Sequence, residues 1–419
     1  MIRHSLESHP WGMEKFIDPS LLDRLRVGPL AAYLDTYLER IEHAGFLPSS
    51  VPMQMYAIAR FSNWLHARQI DMQLMDERTI QRFLKRDIDI SHSGESAPLH
   101  RLLTMLREIG ITVAKTVQIK DGIEQLTGEY EHYLLHERGL ARSTLLNYVP
   151  FAEQFLTHRF GRSEMSISSL TAKDVTKFIQ DRVRQMSAGR AKLLITALRS
   201  FLRYLRHQDR ISVDLAGCVP PVACWSLSSV PKFLPAGTVQ RILNQCERET
   251  ADGKRNYAVL LMLARLGLRA CEIVALALDD IDWDDGLLTI RCKGGRRAQL
   301  PMPTDVGEAI AIYVHSGRPR TQCRRVFLRH RAPIRGFAHS ITVSTIVRRA
   351  LIRGGIDSVR KGAHLFRHTL ATDLLRQGAS LDEIGELLRH RSPNTTAVYA
   401  KVDLIALRTL ALPWPGGAR

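Results

Sequence analysis

Apolar positions in the first 210 residues recur at steps of three and four, which is the spacing of amphipathic helices. One such set covers residues 30–68 and is interrupted at Gly45 and Pro48. A second set covers residues 123–208 and is interrupted at Gly139. Because glycine and proline end regular helices, each set is predicted to be a series of helices joined by short turns.

The two helical sets share residues at a nearly constant separation. Three matches lie 94 residues apart and a fourth lies 95 apart: Gly45 with Gly139, Ser49 with Ser143, Phe61 with Phe155, and Phe83 with Phe178. This favours a duplicated helical module over residues 1–115 and 120–212. Two unrelated bundles with ordinary helical periodicity remain the alternative.

The pattern changes after residue 212. Residues 213–232 are rich in proline and serine without periodicity, which predicts an extended linker. Beyond the linker, 287–292 and 297–302 alternate as two short strands around a hairpin turn that contains Lys293 and Arg296. Helices are predicted at 238–248 and 256–266, and again near the positions Val306, Thr342, Leu365, Leu381 and Thr395.

The net charge of the chain indicates what kind of partner it binds. The formal net charge of +17 favours a polyanion, either nucleic acid or an acidic membrane surface. No run approaches the roughly 18 apolar residues that span a bilayer, and the opening residues lack the apolar region of a secretory signal. The six cysteines show no metal-binding spacing, so we expect reduced thiols, a cytoplasmic protein and nucleic acid rather than a membrane as its partner.

One predicted helix, over 190–207, has an apolar stripe with basic residues beside it. From Arg182 to Arg210 there are eight lysines and arginines against one acidic residue. An ordinary solvated helix face mixes the two signs, so we expect this helix to follow DNA phosphates. The basic residues that run beside the stripe are Lys192, Arg199, Arg203 and Arg206.

The last 190 residues contain basic and nucleophilic side chains that are unremarkable singly. Arg269 and Glu272 lie three apart and could form an ion pair on one helical face. His364 and Arg367 have the same spacing, which suits binding of a phosphodiester. The remaining candidates are Lys293 in the hairpin turn, His390, and Tyr399 nine residues after His390.

Taken in order, these residues and their surroundings resemble the tyrosine recombinase (phage integrase) family. The resemblance covers residue 233 to about 407, through the strings GLRACEIVAL, HLFRHTLATDLLRQGASLDEIGELLRH and TTAVYAKVD. It implies a mainly α protein, with helical amino-terminal DNA-binding domains and an α-rich mixed α/β catalytic domain with a small β-hairpin sheet. The catalytic domain would occupy residues 233–410, followed by a tail over 411–419.

The resemblance also implies a role for each matching residue. Arg269 and Arg367 would hold the scissile phosphate, and Glu272 would brace Arg269. Lys293 would protonate the departing 5′ oxygen, and His364 would accept the proton of the attacking phenol. His390 would complete the pocket and donate to a phosphoryl oxygen. Tyr399 would attack phosphorus to give a 3′-phosphotyrosine, so that neither ATP, another cofactor nor a metal is expected. Where the family commonly has glycine before the last histidine, this chain has Arg389.

Double-stranded DNA is the expected partner, bound by a tetramer on two sites with one or two kinds of recombinase. Ten basic residues against one acidic residue between 324 and 361 suggest a clamp shared with the helical domain. We also expect Arg296 and Arg297, beside the hairpin turn, to contact DNA. A type IB topoisomerase and an inactive DNA-binding regulator are the alternatives. The long amino-terminal extension looks most like transposon-borne recombinases.

Overall fold

The computed structural model describes residues 28–85, 94–112, 122–161, 165–222, 231–291, 296–358 and 360–402. These residues form two compact units. One unit joins the described residues up to 112 with those from 231 onward, and the other comprises 122–222. Lys293 and the predicted tail over 411–419 lie outside the described residues.

The amino-terminal part of the first unit is a module of four helices with its own core. Its helices are α1 (Leu34–His43), α2 (Val51–Ala67), α3 (Glu77–Lys85) and α4 (Ser96–Glu108). Leu38, Ile58, Phe61 and Leu102 are fully buried among them. The side chain and backbone of Asp76 and Thr79 bond to each other at the start of α3, which satisfies amide groups that a helix leaves free at its first turn.

The second unit also contains four helices: α5 (Gly122–His132), α6 (Arg142–Phe160), α7 (Ala172–Val183) and α8 (Ala188–His207). Thr171 and Asp174 form a reciprocal capping box at the start of α7. The core of this unit continues past α8, because Leu215 and Val219 pack into it. The chain thus remains folded on this unit for the first residues after 212, where the extended linker is predicted.

Two details are common to both four-helix modules. Phe61 and Phe83 meet edge to face at 5.0 Å, and Phe155 and Phe178 do so at 5.3 Å. The caps also correspond, since an acidic residue and a threonine bond reciprocally three residues apart at the start of both α3 and α7. These buried pairs agree with the duplication that the residue spacing suggests; the domain boundaries stay a prediction.

The rest of the first unit is an α-rich domain with a small sheet. Strands β1 (Ile281–Asp282), β2 (Leu287–Arg291) and β3 (Arg297–Pro301) pair antiparallel in that order, with Leu288 opposite Ile281 on one side and Leu300 on the other. Its helices are α9 (Thr238–Asn244), α10 (Ala251–Leu266), α11 (Ala270–Ala275), α12 (Thr304–Ser316), α13 (Ile341–Arg353), α14 (Ala363–Arg376), α15 (Leu381–Leu387) and α16 (Pro393–Thr396).

Helix α10 is the centre of this domain. Residues 258–264 are buried all around the helix, as their unbroken apolar sequence predicts. The helix ends at Gly267, whose φ of +55° is a left-handed conformation that glycine adopts freely. An added Cβ there would lie 2.6 Å from Leu388, so the end of α10 and the end of α15 approach closely. The catalytic-type residues lie around this junction.

The mainly α architecture with a small β-hairpin sheet, predicted from the sequence, is confirmed. Within the described residues, no helix combines the length and the apolar character needed to cross a membrane.

Replacing Phe155 by alanine tests the core of the second unit. Phe155 is fully buried against Phe178, so Phe155→Ala should lower the free energy of unfolding by about 3–5 kcal/mol. Leu146→Ala on the same helix is the matched control, because Leu146 is 71% exposed and should change stability by about 0.5 kcal/mol or less. Urea unfolding followed by circular dichroism measures both; equal losses would contradict the packing.

Candidate active site

A buried carboxylate organises the first arginine. Glu272 Oε1 accepts a hydrogen bond from Arg269 Nη1 at 2.8 Å, and its Oε2 accepts one from the Arg269 backbone N–H, also at 2.8 Å. Arg269 itself has extended backbone just before α11 and is the N-cap of that helix. The predicted ion pair therefore forms, but through an N-terminal cap and not through one helical face.

Arg389 holds the same carboxylate from the other side. Its Nη2 donates to Glu272 Oε2 at 3.0 Å, and the two side chains are 8% and 0% exposed. The φ of Arg389 is +54°, a conformation that glycine adopts most easily. This explains why the family commonly has glycine at this position. Here the strained residue contributes a guanidinium that lies on the buried side of the site.

The second arginine ties together three segments. Arg367 is 3% exposed, and its guanidinium donates to the carbonyl of Gly267 at 2.5 Å and to the carbonyl of Leu388. Burial, with the nearby charge of Arg269, lowers the pKa of Arg367 to about 10, so the side chain is still charged at neutral pH. Two guanidiniums thus share one region at the end of α10.

The predicted histidines lie beside these charges. Burial lowers the pKa of His364, and Arg367 and Arg269 lower it further. Burial, followed by the same two arginines, lowers the pKa of His390 to about 4. A hydrogen bond of 2.7 Å joins His390 Nδ1 to Thr396 Oγ1 and fixes the ring. Both imidazoles are therefore neutral at pH 7 in the free protein.

Tyr399 reaches the same region from a short 3₁₀-helix, Ala397–Val402. Its side chain is buried, and its ring stacks on His390 with centroids 6.3 Å apart. The phenol oxygen lies 3.0 Å from His368 Nδ1. Burial raises the pKa of Tyr399, while the charges of Arg367 and Arg269 oppose that rise. The ring of Tyr399 therefore packs in an apolar cluster with Ala371, Ile384 and Leu388, while its phenol oxygen lies within the field of both guanidiniums.

Two residues of this cluster were not among the candidates from the sequence. His368, next to Arg367 on α14, contacts the phenol, and burial lowers its pKa to about 4. A signal for it existed, since it stands in the same string as His364 and Arg367. Arg389 was noted as a departure from the family pattern, but its contact with Glu272, 117 residues away in the sequence, has no local signal.

The remaining predicted residues lie elsewhere. Lys293 is outside the described residues, so its proposed place beside the phosphate is not described, whereas Arg296 and Arg297 are exposed at the start of β3. In the second unit, the four basic residues of α8 differ in their surroundings. Lys192 and Arg203 are exposed, Arg206 pairs with Asp214 at 3.3 Å, and Arg199 donates to the carbonyl of Val219 at 2.7 Å.

Comparison with known proteins identifies the family. A family model described as "Phage integrase family" matches residues 232–404, and one described as "Phage integrase, N-terminal SAM-like domain" matches 128–209. The protein y4rA of Sinorhizobium fredii, whose name describes it as an integrase/recombinase, is 46% identical over 97% of this chain and all of its own length. The chain belongs to the phage integrase family of tyrosine recombinases.

Further relatives of this tyrosine recombinase agree. XerD of Mycobacterium tuberculosis, described as a tyrosine recombinase, is 30% identical over 70% of this chain and 96% of its own length. A XerH recombinase bound to its palindromic substrate has a TM-score of 0.53 at 16% identity, and covers 85% of this chain and 95% of its own. A lambda integrase dimer bound to a COC′ core site has a TM-score of 0.52 at 18% identity; the match covers 67% of this chain and 95% of the integrase chain. At these identities the solved structures show the fold.

The depressed histidine pKa values predict a dependence of stability on pH. An unfolded histidine has a pKa of about 6.5, whereas burial lowers the pKa of His368 and of His390 to about 4 in the folded protein. Between these values the unfolded chain binds protons that the folded chain does not. The free energy of unfolding should therefore fall as the pH is lowered from about 6.5 to about 4.

His368→Gln should make this dependence shallower, and His315→Gln, at an exposed position, should leave it as in the unchanged protein. Urea titrations at a series of pH values supply the comparison. An identical slope for His368→Gln and the unchanged protein would contradict the assignment of neutral, buried His368.

Proposed function

We propose that this recombinase cuts and rejoins DNA strands at specific sites through a covalent 3′-phosphotyrosine at Tyr399. The observation that carries the proposal is the meeting of Tyr399, His368 and two guanidiniums at the end of α10. A phenol of raised pKa is a weak nucleophile by itself. Its closeness to two positive charges and to a neutral base supplies what such an attack needs.

Arg269 and Arg367 would bind the non-bridging oxygens of the scissile phosphate. Negative charge grows on these oxygens in the pentavalent transition state, and a planar guanidinium can donate two parallel hydrogen bonds to them. Glu272 and the carbonyls of Gly267 and Leu388 hold the two groups before DNA arrives. His390 would donate a further hydrogen bond to a phosphoryl oxygen, with its ring fixed by Thr396.

Proton transfer would use His368 and Lys293. As the Tyr399 oxygen forms its bond to phosphorus, the phenol proton would pass to His368 Nδ1, which is 3.0 Å away and neutral. The bond from phosphorus to the 5′ oxygen breaks, and Lys293 would protonate that oxygen. The geometry supports His368 as the acceptor over His364, which was expected from the sequence. Rejoining reverses each transfer, so that no ATP, other cofactor or metal enters the scheme.

DNA binding would draw on both units. Lys192 and Arg203 on α8 are exposed and could contact phosphates, and Arg296 and Arg297 follow the turn of the hairpin in which Lys293 is predicted to lie. A tetramer on two DNA sites, made of one or two kinds of recombinase, would then exchange strands. Integration, excision or transposition of a mobile element, the last suggested by the long amino-terminal extension, is the role we propose in the cytoplasm.

Tyr399→Phe separates binding from cleavage. The variant should bind duplex DNA like the unchanged protein but form no covalent complex, because the attacking oxygen is gone. The substrate is a pool of duplexes with a randomised central site and a nick that lets the short cleaved strand escape. Protein-linked DNA is counted after denaturation with detergent. Covalent complex formed by Tyr399→Phe would refute the assignment, and an inactive regulator would trap nothing even unchanged.

Arg269→Ala should slow cleavage of a site recovered from that pool by roughly 10²–10³-fold, the cost of removing one donor to a developing oxyanion. Arg265→Ala is the matched control, since Arg265 is exposed near the end of α10, four residues before Arg269, and pairs with Asp305 on the surface. Single-turnover cleavage rates at saturating protein compare the two, with thermal unfolding as the check on folding. Equal rates for Arg269→Ala and the control would exclude Arg269 as a ligand of the scissile phosphate.

A further inference from the structure

The loop between residues 329 and 336 forms one wall of a basic cavity in the first unit. The backbone N–H of Arg329 donates to the carbonyl of Arg335 at 3.0 Å, and Leu328 bridges to Gly336, so the loop is closed at its base. The cavity beside it has a volume of about 500 Å³. Five arginines line this cavity, hereafter the arginine basin: Arg255, Arg329, Arg331, Arg335 and Arg349.

The arginines of the basin fall into two groups. Arg255 is buried and structural: it donates to the carbonyl of Leu328 at 3.0 Å, pairs with Asp252 at 2.5 Å and lies over the ring of Phe337. Arg331 and Arg335 are exposed, and within the described chain their guanidiniums have no hydrogen bond or ion pair. Arg349 is also exposed and has no hydrogen bond or ion pair among the residues that the structure describes, so three uncommitted guanidiniums line the cavity and attract an anion.

The basin lies at one end of α10, and Arg269 and Arg367 lie at the other. Arg255 is near the start of this helix, and Arg269 follows its end. At a rise of 1.5 Å per residue, the 11 residues from Arg255 to Leu266 span about 17 Å. Along a duplex, where each strand carries a phosphate every 3.4 Å of axis, this separation corresponds to several base pairs. A backbone phosphate away from the cut site is an anion of the right kind.

The tip of the same loop contacts the amino-terminal module. Ile334 N–H donates to the carbonyl of Ala44 at 2.8 Å. Gly45 follows with a φ of +78°, and a Cβ on it would lie 2.5 Å from Ile334 Cγ1. Pro333 closes one side of an apolar cavity of about 420 Å³ that is otherwise lined by the module, including Tyr37 and Phe46. The turn between α1 and α2 therefore seats the loop tip.

The module itself shows little sign of a DNA-binding surface on its last helix. Its described residues, 28–85 and 94–112, contain eight basic and eight acidic side chains. On α4, Arg107 forms two hydrogen bonds to Glu77 and Arg101 donates to Gln54 over the ring of Phe46. On the corresponding last helix of the second unit, α8, Lys192 and Arg203 face solvent, and that unit has thirteen basic against nine acidic residues.

We propose that the amino-terminal module is a docking module that holds the 329–336 loop so that the arginine basin binds a backbone phosphate of the DNA. The module shares a helical plan with the second unit but uses its surface for a protein contact. The proposal rests on the proposed function for the choice of DNA as the anion. It assigns residues 28–112 a positioning role in the recombinase.

Three sets of substitutions in the full-length protein test this. Binding to a random-sequence 40-base-pair duplex is measured by fluorescence anisotropy over a range of salt concentrations. Arg331→Ala with Arg335→Ala should reduce the salt slope by about one, which is the change for one lost phosphate contact. The matched set Arg78→Ala, Arg82→Ala and Lys85→Ala removes three exposed charges of the module and should leave the slope unchanged.

Docking is tested separately by Ile334→Asp, which places a charge in the apolar seat. Hydrogen exchange of residues 329–336 and 44–46 should accelerate about tenfold or more, and the salt slope should fall in the direction of the double variant. Ile312→Asp, at a position 54% exposed on α12, is the control and should change neither. Ile334→Ala, which adds no charge, repeats the measurement if the aspartate variant does not fold.

Two results would overturn the proposal. A fall in salt slope for the module's triple variant as large as that for the basin would show that the module binds DNA itself. Unchanged exchange in both Ile334 variants would show that the loop tip is not held. Neither result depends on cleavage. If the unchanged protein forms no covalent complex with DNA, the proposed chemistry fails while the binding and exchange results still decide the role of the module.

Discussion

The site depends on how one buried carboxylate is neutralised. Glu272 is fully buried, and an unpaired carboxylate in such a position is very costly. Arg269 and Arg389 each donate a hydrogen bond to it, so the two guanidiniums offset its negative charge and the carboxylate holds both side chains in place. Because Arg389 adjoins His390, this single contact also links the start of α11 to the segment that leads to Tyr399. Removing Glu272 would leave two guanidiniums without their partner.

The groups around Arg269 and Arg367 orient these two guanidiniums and leave the region positively charged. Arg367 is bound by two backbone carbonyls, which accept hydrogen bonds but carry no full charge, and its positive charge is therefore oriented without being cancelled. The three histidines nearby are neutral, since burial and the arginines disfavour a further positive charge. The result is a region with net positive charge and with neutral bases that can accept or donate a proton. Such an arrangement would stabilise the extra negative charge that a bound phosphate carries in its transition state.

Local spacing in the sequence predicted much of this, and contacts between distant segments account for the rest. The hairpin and the helices α10, α13 and α14 follow from periodicity and turn residues, and Arg269 with Glu272 from a separation of three. That separation did not reveal that Arg269 caps α11, because a capping box and a helical face place the same two residues together. The contact of His368 with Tyr399 needs the fold, since 31 residues separate them and either side chain alone suits a buried core.

Arg389 illustrates how a departure from a family pattern can be compensated. A left-handed conformation costs a residue with a Cβ about 1–2 kcal/mol relative to a right-handed one, which is why glycine is favoured there. A hydrogen bond to a charged group contributes about 1.5–3 kcal/mol, and Arg389 forms one with Glu272 in a nearly dry environment. The two magnitudes are comparable, so this turn can keep its shape with arginine. Replacing Arg389 by glycine would remove the cost of the left-handed backbone at this turn. It would also leave Glu272 Oε2 with the Arg269 backbone N–H as its described donor. The turn would therefore gain stability while the carboxylate lost a partner.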